Sequence, residues 1–146
     1  MITKDKVFII TGASAGIGSE LAYQLAKKGA HVVCAARTMT KLETVCKNIK
    51  DSGGSAIPIQ ADITNKDQCE KIISQTIKTF NRVDGLILNA GISMWAKFDE
   101  IKDVSFFKTI MDTNYLGSVY CVHAALPFLK KTRGKIISCS TGQAIM

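Results

Sequence analysis

A chain of 146 residues, 47% of them hydrophobic, has the length of one domain and enough apolar side chain to build a core. Its 19 basic and 12 acidic residues leave a net charge of +7, but Lys27, Lys47, Lys71, Lys78 and Lys102 are scattered singly, which describes solvated helix faces and argues against a nucleic-acid partner. Five cysteines, Cys34, Cys46, Cys69, Cys121 and Cys139, contain no Cys-x-x-Cys pair and stand near no histidine cluster, which argues against a disulfide framework and against a zinc site.

The opening stretch MITKDKVFIITG has too short an apolar run for a signal peptide, and no window approaches the length of a membrane span. The expected setting is therefore the reduced cytoplasm, with no membrane span. Apolar runs of strand length then alternate with stretches of helical period. Strands are predicted at 6–12, 31–37, 55–62, 83–91 and 135–140, and helices near 17–28, 39–51, 66–80 and 104–131. The strand runs barely alternate, so both of their faces are expected to be buried. Gly29 reads as the stop of the first helix, Gly53 and Gly54 end the second, and Thr64 or Asn65 can cap the third. Strands separated by helices mean repeated β-α-β units and an α/β fold, a doubly wound parallel sheet of Rossmann type in one domain, 1–146.

The turn after the first strand is TGASAGIG, residues 11–18, and it opens a helix. Gly12 permits a tight turn, Gly16 lets backbone approach a diphosphate, and Gly18 lets the helix sit close on the sheet. The spacing, T-G-x-x-x-G-x-G, resembles that of the short-chain dehydrogenase/reductase family. The resemblance continues in order through Asp62-Ile63, Asn89-Ala90-Gly91, Asn114 and the hydroxyl-rich stretch after the fifth strand. It implies that Gly12, Ser14, Ala15, Gly16, Ile17 and Gly18 hold a dinucleotide, that Asp62 and Ile63 flank its adenine, and that Asn89, Ala90 and Gly91 line the cofactor and brace the sheet. The family commonly has asparagine where this chain has Leu88. Read without the family, Asp62 is an ordinary strand-end carboxylate.

The end of the second strand is where such a sheet reads the adenosine ribose. This chain has Ala35-Ala36-Arg37-Thr38 there, with no acid to accept from a 2'-hydroxyl. Arg37 can fork onto a 2'-phosphate, with Thr38 and Ser14 adding hydrogen bonds, so NADP(H) is expected rather than NAD(H).

For the reacting centre, the resemblance implies a tyrosine with a lysine four residues later, a serine at the end of the fifth strand, and an asparagine in a proton relay. The one Tyr-x-x-x-Lys here is Tyr23 with Lys27, on the first helix. With a core stripe of Ile17, Leu21 and Leu25, the pair falls on the opposite, solvent face and is not catalytic. Tyr115 and Tyr120 are followed four residues later by Val119 and Ala124. The family's tyrosine would fall past Met146.

Asn114 fits the relay asparagine; on its residue type alone it is a helix asparagine facing a polar pocket or solvent. Counting from Gly134 puts Thr141 in the serine position, whereas residue type selects Ser140, and both stand. Met94, Trp95 and Phe98 form either an aromatic wall for an apolar substrate or ordinary loop packing.

The resemblance implies a sheet order of 3-2-1-4-5 for these five strands, with two more strands following in the family. The chain is thus expected to be an NADP(H)-binding domain incomplete at its C-terminus, with an apolar fifth strand at the sheet edge. The expected activity is hydride transfer between nicotinamide and a carbonyl or alcohol, in a homo-oligomer joined through the helix at 104–131. The 146 residues alone are expected to bind NADP(H) without turnover. The alternative is a non-catalytic dinucleotide-binding module acting as a sensor or interaction protein.

Overall fold

A computed structural model of the chain describes residues 3–140. Five parallel strands, β1 (Val7–Thr11), β2 (His31–Ala36), β3 (Ser55–Gln60), β4 (Gly85–Leu88) and β5 (Lys135–Ser138), form one sheet in the order β3-β2-β1-β4-β5. The crossovers are α1 (Gly16–Lys27), α2 (Met39–Asp51), α3 (Lys66–Phe80) and a long helical stretch built of α4 (Ser105–Ile110), a π-helical segment (Met111–Leu116) and α5 (Gly117–Thr132). The predicted elements and their order are all present.

Two apolar layers explain why the strand runs do not alternate in sequence. Ile9, Val33, Ile59 and Leu86 face Ile72 and Ile73 of α3 and Ala125 and Leu129 of α5. Phe8, Ile10, Val32, Cys34 and Ile87 face Ala22 and Ala26 of α1 and Leu42 and Ile49 of α2. A central strand with helices on both faces must be apolar at every position.

The helix stops follow from local chemistry. Asn65, not Thr64, caps α3, its Oδ1 accepting from Gln68 N at 3.1 Å. Gly29 and Gly53 take φ of +81° and +80° just past α1 and α2. Asn81 and Arg133 end α3 and α5 in the same left-handed region, where asparagine is tolerated and arginine is unusual.

At the opposite end of the sheet from the helix starts, Asp84 ties β1 to β4. It accepts from Val7 N at 2.9 Å and from Arg82 Nε and Nη2 at 2.7 Å each, with Lys6 Nζ at 3.5 Å. Burial alone would raise this carboxyl; the hydrogen bonds from Arg82 and Val7 and the charges of Arg82 and Lys6 outweigh it and hold the group below the usual carboxylate range.

Three expectations are corrected. The buried stripe of α1 is Gly18, Ala22 and Ala26, while Ile17 is 69% exposed and Leu21 and Leu25 are only partly buried. Small side chains let the helix press against the sheet, and a stripe chosen by hydrophobicity overlooks them. Tyr23 consequently sits half-buried against the α1–α2 layer instead of in solvent, beside a small cavity it shares with Lys27 and Gly54. Finally, the burial on both faces expected of every strand run fails at β5, which is instead the apolar sheet edge also expected of it: Ile136 is 44% and Ile137 42% exposed, and among the described residues its one strand neighbour is β4. Both-face burial holds for β1 and for most of β2 and β4, not for the edge strands β3 and β5.

Candidate nucleotide-binding site

The strand order reverses between β1 and β4, and the turns leaving these two strands run in opposite directions. Such a reversal opens a crevice beyond the C-terminal strand ends. Here it is a cleft of about 470 Å³.

The glycine turn forms its floor. Gly16 has φ of +58°, and a Cβ built on it would meet nothing within 4 Å, so the backbone there is open to an approaching group. At Gly18 a Cβ would collide with Gly12 O and stand 2.5 Å from Asn89 Nδ2, so only glycine lets α1 start this close to the sheet. Ala15 precedes α1 without a side-chain cap, and no acidic residue occupies the first turn. The first N–H groups of α1 are thereby left for an anion, the arrangement a diphosphate requires. Gly12, Ser14, Ala15 and Ile17 line the cleft, and the exposure of Ile17 follows from that placement.

Thr11 and Asn89 lock the two sides together. Thr11 Oγ1 accepts from Asn89 N and Ala90 N, at 3.1 Å each, and Asn89 Nδ2 donates to Thr11 O at 3.1 Å and Gly12 O at 3.2 Å. Asn89, Ala90 and Gly91 all line the cleft. Thr11 opens the T-G-x-x-x-G-x-G spacing, and its role as the link between the two strand ends goes beyond that motif; a hydroxyl ending an apolar strand just before the glycines is the signal that marks it.

At the β2 end of the cleft, Ala35, Ala36, Arg37 and Thr38 line it, with Lys41 from the first turn of α2. Gln60 Nε2 donates to Arg37 O at 2.9 Å and fixes the backbone of this turn. Asp62 and Ile63 lie opposite. The Asp62 carboxylate is folded onto its own turn, its Oδ1 accepting from Thr64 N at 3.0 Å and Thr64 Oγ1 at 2.9 Å, while Asp62 N donates to Gln68 Oε1 at 2.7 Å. Gln68 and Gln60 belong to no sequence motif, so nothing in the sequence marks them.

At the far end, Asn114 lies in the π-helical segment and holds the backbone that follows Gly91. Its Oδ1 accepts from Ile92 N at 2.9 Å and its Nδ2 donates to Ile92 O at 2.8 Å. Its own backbone carbonyl accepts from Ser118 Oγ at 3.0 Å. The neighbouring Thr113 lines the cleft. Cys139 N donates to Leu88 O at 2.9 Å, which carries the exposed Ser140 to the strand end that bears Asn89. Thr141 lies outside the described residues. Trp95 is 94% exposed, and Phe98 packs on Phe107 with ring centroids 6.1 Å apart. Tyr23 and Lys27 border a separate cavity that shares no residue with the cleft.

Comparison with known proteins follows the same lines. The profile of the short chain dehydrogenase family matches residues 6–146. The 11-beta-hydroxysteroid dehydrogenase 1A of Arabidopsis thaliana is 41% identical over 140 residues, which cover 95% of this chain and 40% of that protein. Among solved structures, a short-chain type dehydrogenase/reductase from Mycobacterium marinum superposes with a TM-score of 0.92 at 32% identity, covering 99% of this chain and 59% of the other. An alcohol dehydrogenase from the archaeon Thermococcus sibiricus, complexed with 5-hydroxy-NADP, does so with a TM-score of 0.86 at 28% identity, covering 91% and 57%. The chain therefore spans about 40% of the length of the curated relative.

Proposed function

This chain belongs to the short-chain dehydrogenase family, and from that premise we propose that its cleft binds NADP(H) for oxidoreduction of a carbonyl or alcohol. The observation that carries the cofactor reading is the turn after β2, where Arg37 and Thr38 border the cleft and the side chains leaving the strand, Ala35 and Ala36, offer no carboxylate. A ribose 2'-hydroxyl finds no carboxylate at that turn to accept its proton, whereas a 2'-phosphate gains a guanidinium. Bound nicotinamide supplies or accepts the hydride; the protein's task is to hold it. Gly12, Gly16 and the open end of α1 take the diphosphate, Ser14 and Ala15 its flank, and Asp62 and Ile63 the adenine side.

Toward the reacting end, Asn114 is a positioning residue that acts through the Ile92 backbone, and the hydroxyl of Ser140 or Thr141 orients the substrate oxygen. The substrate class is an apolar ketone or secondary alcohol of hydroxysteroid type. That reading is supported by the likeness to 11-beta-hydroxysteroid dehydrogenase 1A and by the apolar loop bearing Met94, Trp95 and Phe98. The protein acts as a homo-oligomer in the reducing cytoplasm, in keeping with its free cysteines. Residues 1–146 by themselves bind cofactor without turnover, since their one Tyr-x-x-x-Lys borders a different cavity. No observation favours a non-catalytic sensor. Titration with NADPH and NADH, followed by a screen of hydroxysteroids and their ketones with the full-length protein, tests the reading; a stronger response to NADH or turnover by residues 1–146 alone would overturn it.

A further inference from the structure

We infer that Cys69 and Cys121 form a redox site: a hydroperoxide joins them in a reversible disulfide, and the joined form holds the dinucleotide less tightly than the dithiol form. The second half rests on the proposal above that the cleft binds a dinucleotide.

The pair is made by the packing of α3 on α5. Cys69 lies four residues after Asn65, the cap of α3, and Cys121 lies four residues after Gly117, the first residue of α5. Their Sγ atoms are 3.6 Å apart, and the residues are 0% and 2% exposed. A disulfide closes at about 2.05 Å, so the sulfurs need about 1.6 Å of further approach. Cys121 donates to Cys69 Sγ. That hydrogen bond draws the Cys69 thiol below its ordinary value, against burial and the charges of Asp62 and Glu70, and holds Cys121 above it. Cys69 is thus the sulfur that attacks.

Cys34 and Cys46 also meet, in the apolar layer on the other face of the sheet, and Cys139 is exposed. What Cys69 adds is a hydrogen bond to a residue of the cleft. Its Sγ donates to Ile63 O at 3.3 Å, and among the described residues no other donor reaches that carbonyl. Ile63 lines the cleft. From the other side α5 presses on the same residue: a Cβ on Gly117 would stand 2.8 Å from Ile63 Cδ1 and 3.1 Å from Ile63 O. Gly117 and Cys121 share the buried face of α5. Drawing Cys121 onto Cys69 therefore loads Ile63 through Gly117, while loss of the thiol proton leaves Ile63 O without its donor. Both effects fall on one wall of the cleft.

The chemistry balances with one hydroperoxide. With hydrogen peroxide, the Cys69 thiolate attacks an oxygen, the O–O bond breaks, and a sulfenic acid forms as one water leaves. Cys121 then attacks that sulfur, the S–O bond breaks, and a second water leaves as the S–S bond forms. The two sulfurs lose two electrons, the peroxide gains them, and the thiol protons leave in the waters. A dithiol reductant reverses the reaction. Hydrogen peroxide is small and uncharged, which suits a buried pair.

The test treats full-length wild type, Cys121→Ala and Cys69→Ser with hydrogen peroxide or dithiothreitol and removes the reagent. Each sample is then mapped by peptide mass and titrated with NADP+. Oxidised wild type is expected to carry a Cys69–Cys121 link and to bind NADP+ about five- to tenfold more weakly than the reduced protein, with full recovery in dithiothreitol. Cys121→Ala keeps the bond from Cys69 to Ile63 O and should bind as reduced wild type does, before and after peroxide. Cys69→Ser, whose hydroxyl can still donate to Ile63 O, should do the same, so the result does not hang on one variant's folding. By reciprocity, saturating NADP+ should favour the dithiol by the same factor and raise the pair's reduction potential by about 20–30 mV. Absence of the link, or a link with unchanged NADP+ affinity, overturns the inference and leaves the dinucleotide reading standing. Weakening that persists in peroxide-treated Cys121→Ala also overturns it, since another oxidised group would then be the cause. Reduced wild type that does not bind NADP+ sinks the parent reading, and the coupling with it.

Discussion

Asn114 grips the backbone of Ile92 at both of its polar atoms, Oδ1 accepting from the N–H at 2.9 Å and Nδ2 donating to the carbonyl at 2.8 Å. The amide thus behaves like one rung of a strand pair, and it joins the π-helical segment to the chain leaving β4. A π turn inserts an extra residue and shifts the side-chain register, which is how a helix residue comes to face a strand end.

Replacing Asn114 by Ala should remove both bonds and cost about 1–2 kcal/mol of stability. Leaving the loop after Gly91 unheld should lower turnover in the proposed hydride transfer about tenfold or more, with a small effect on cofactor affinity, because Asn114 acts on the cleft through Ile92. Denaturant unfolding and steady-state kinetics check the two halves. Asn114→Asp should be worse than Asn114→Ala, since a carboxylate would face Ile92 O.

Asp84 predicts a pH dependence of stability. Its carboxyl is held below the usual range in the folded state, so the unfolded chain takes up a proton first as pH falls. The stabilisation is complete above the unfolded carboxylate value, about 4, and is lost as pH drops through the lower folded value. Asp84→Asn should cost about 2 kcal/mol at neutral pH and flatten the acid limb of the stability curve. Urea midpoints at several pH values for both proteins measure this; parallel curves would contradict it.

Val104, Phe107, Met111, Tyr115 and Val119 recur every three or four residues and are all exposed, Tyr115 at 58% and Met111 at 53%. One apolar stripe along a helical stretch is the surface that the proposed homo-oligomer would bury. A Met111→Lys, Val119→Lys double variant of the full-length protein should sediment as a smaller species than wild type while still binding NADPH. Unaltered association would place the interface elsewhere.

The fold was legible because a doubly wound sheet writes itself in long apolar runs punctuated by glycine, as at Gly29 and Gly53. The glycine turn and the Asn89 stretch were legible for a related reason, namely that close approach leaves few residue choices, as Gly18 shows. Other parts were hidden by physics that sequence pattern does not record. The close packing of α1 depends on small residues, Ala22 and Ala26, which carry little hydrophobic signal. The π-helical segment differs from an α-helix by one residue in register, too little to disturb the periodicity of 104–131. Thr11 works through hydrogen bonds to residues 78 and 79 positions away.

The cofactor reading is tested most directly by equilibrium titration of the full-length protein with NADPH and NADH, in wild type and in Arg37→Asp. Wild type should bind NADPH at least about tenfold more tightly, and Arg37→Asp should reverse the order by repelling the phosphate and accepting from the 2'-hydroxyl. Wild-type preference for NADH, or an Arg37→Asp variant that keeps NADPH as its tighter ligand, would contradict the account.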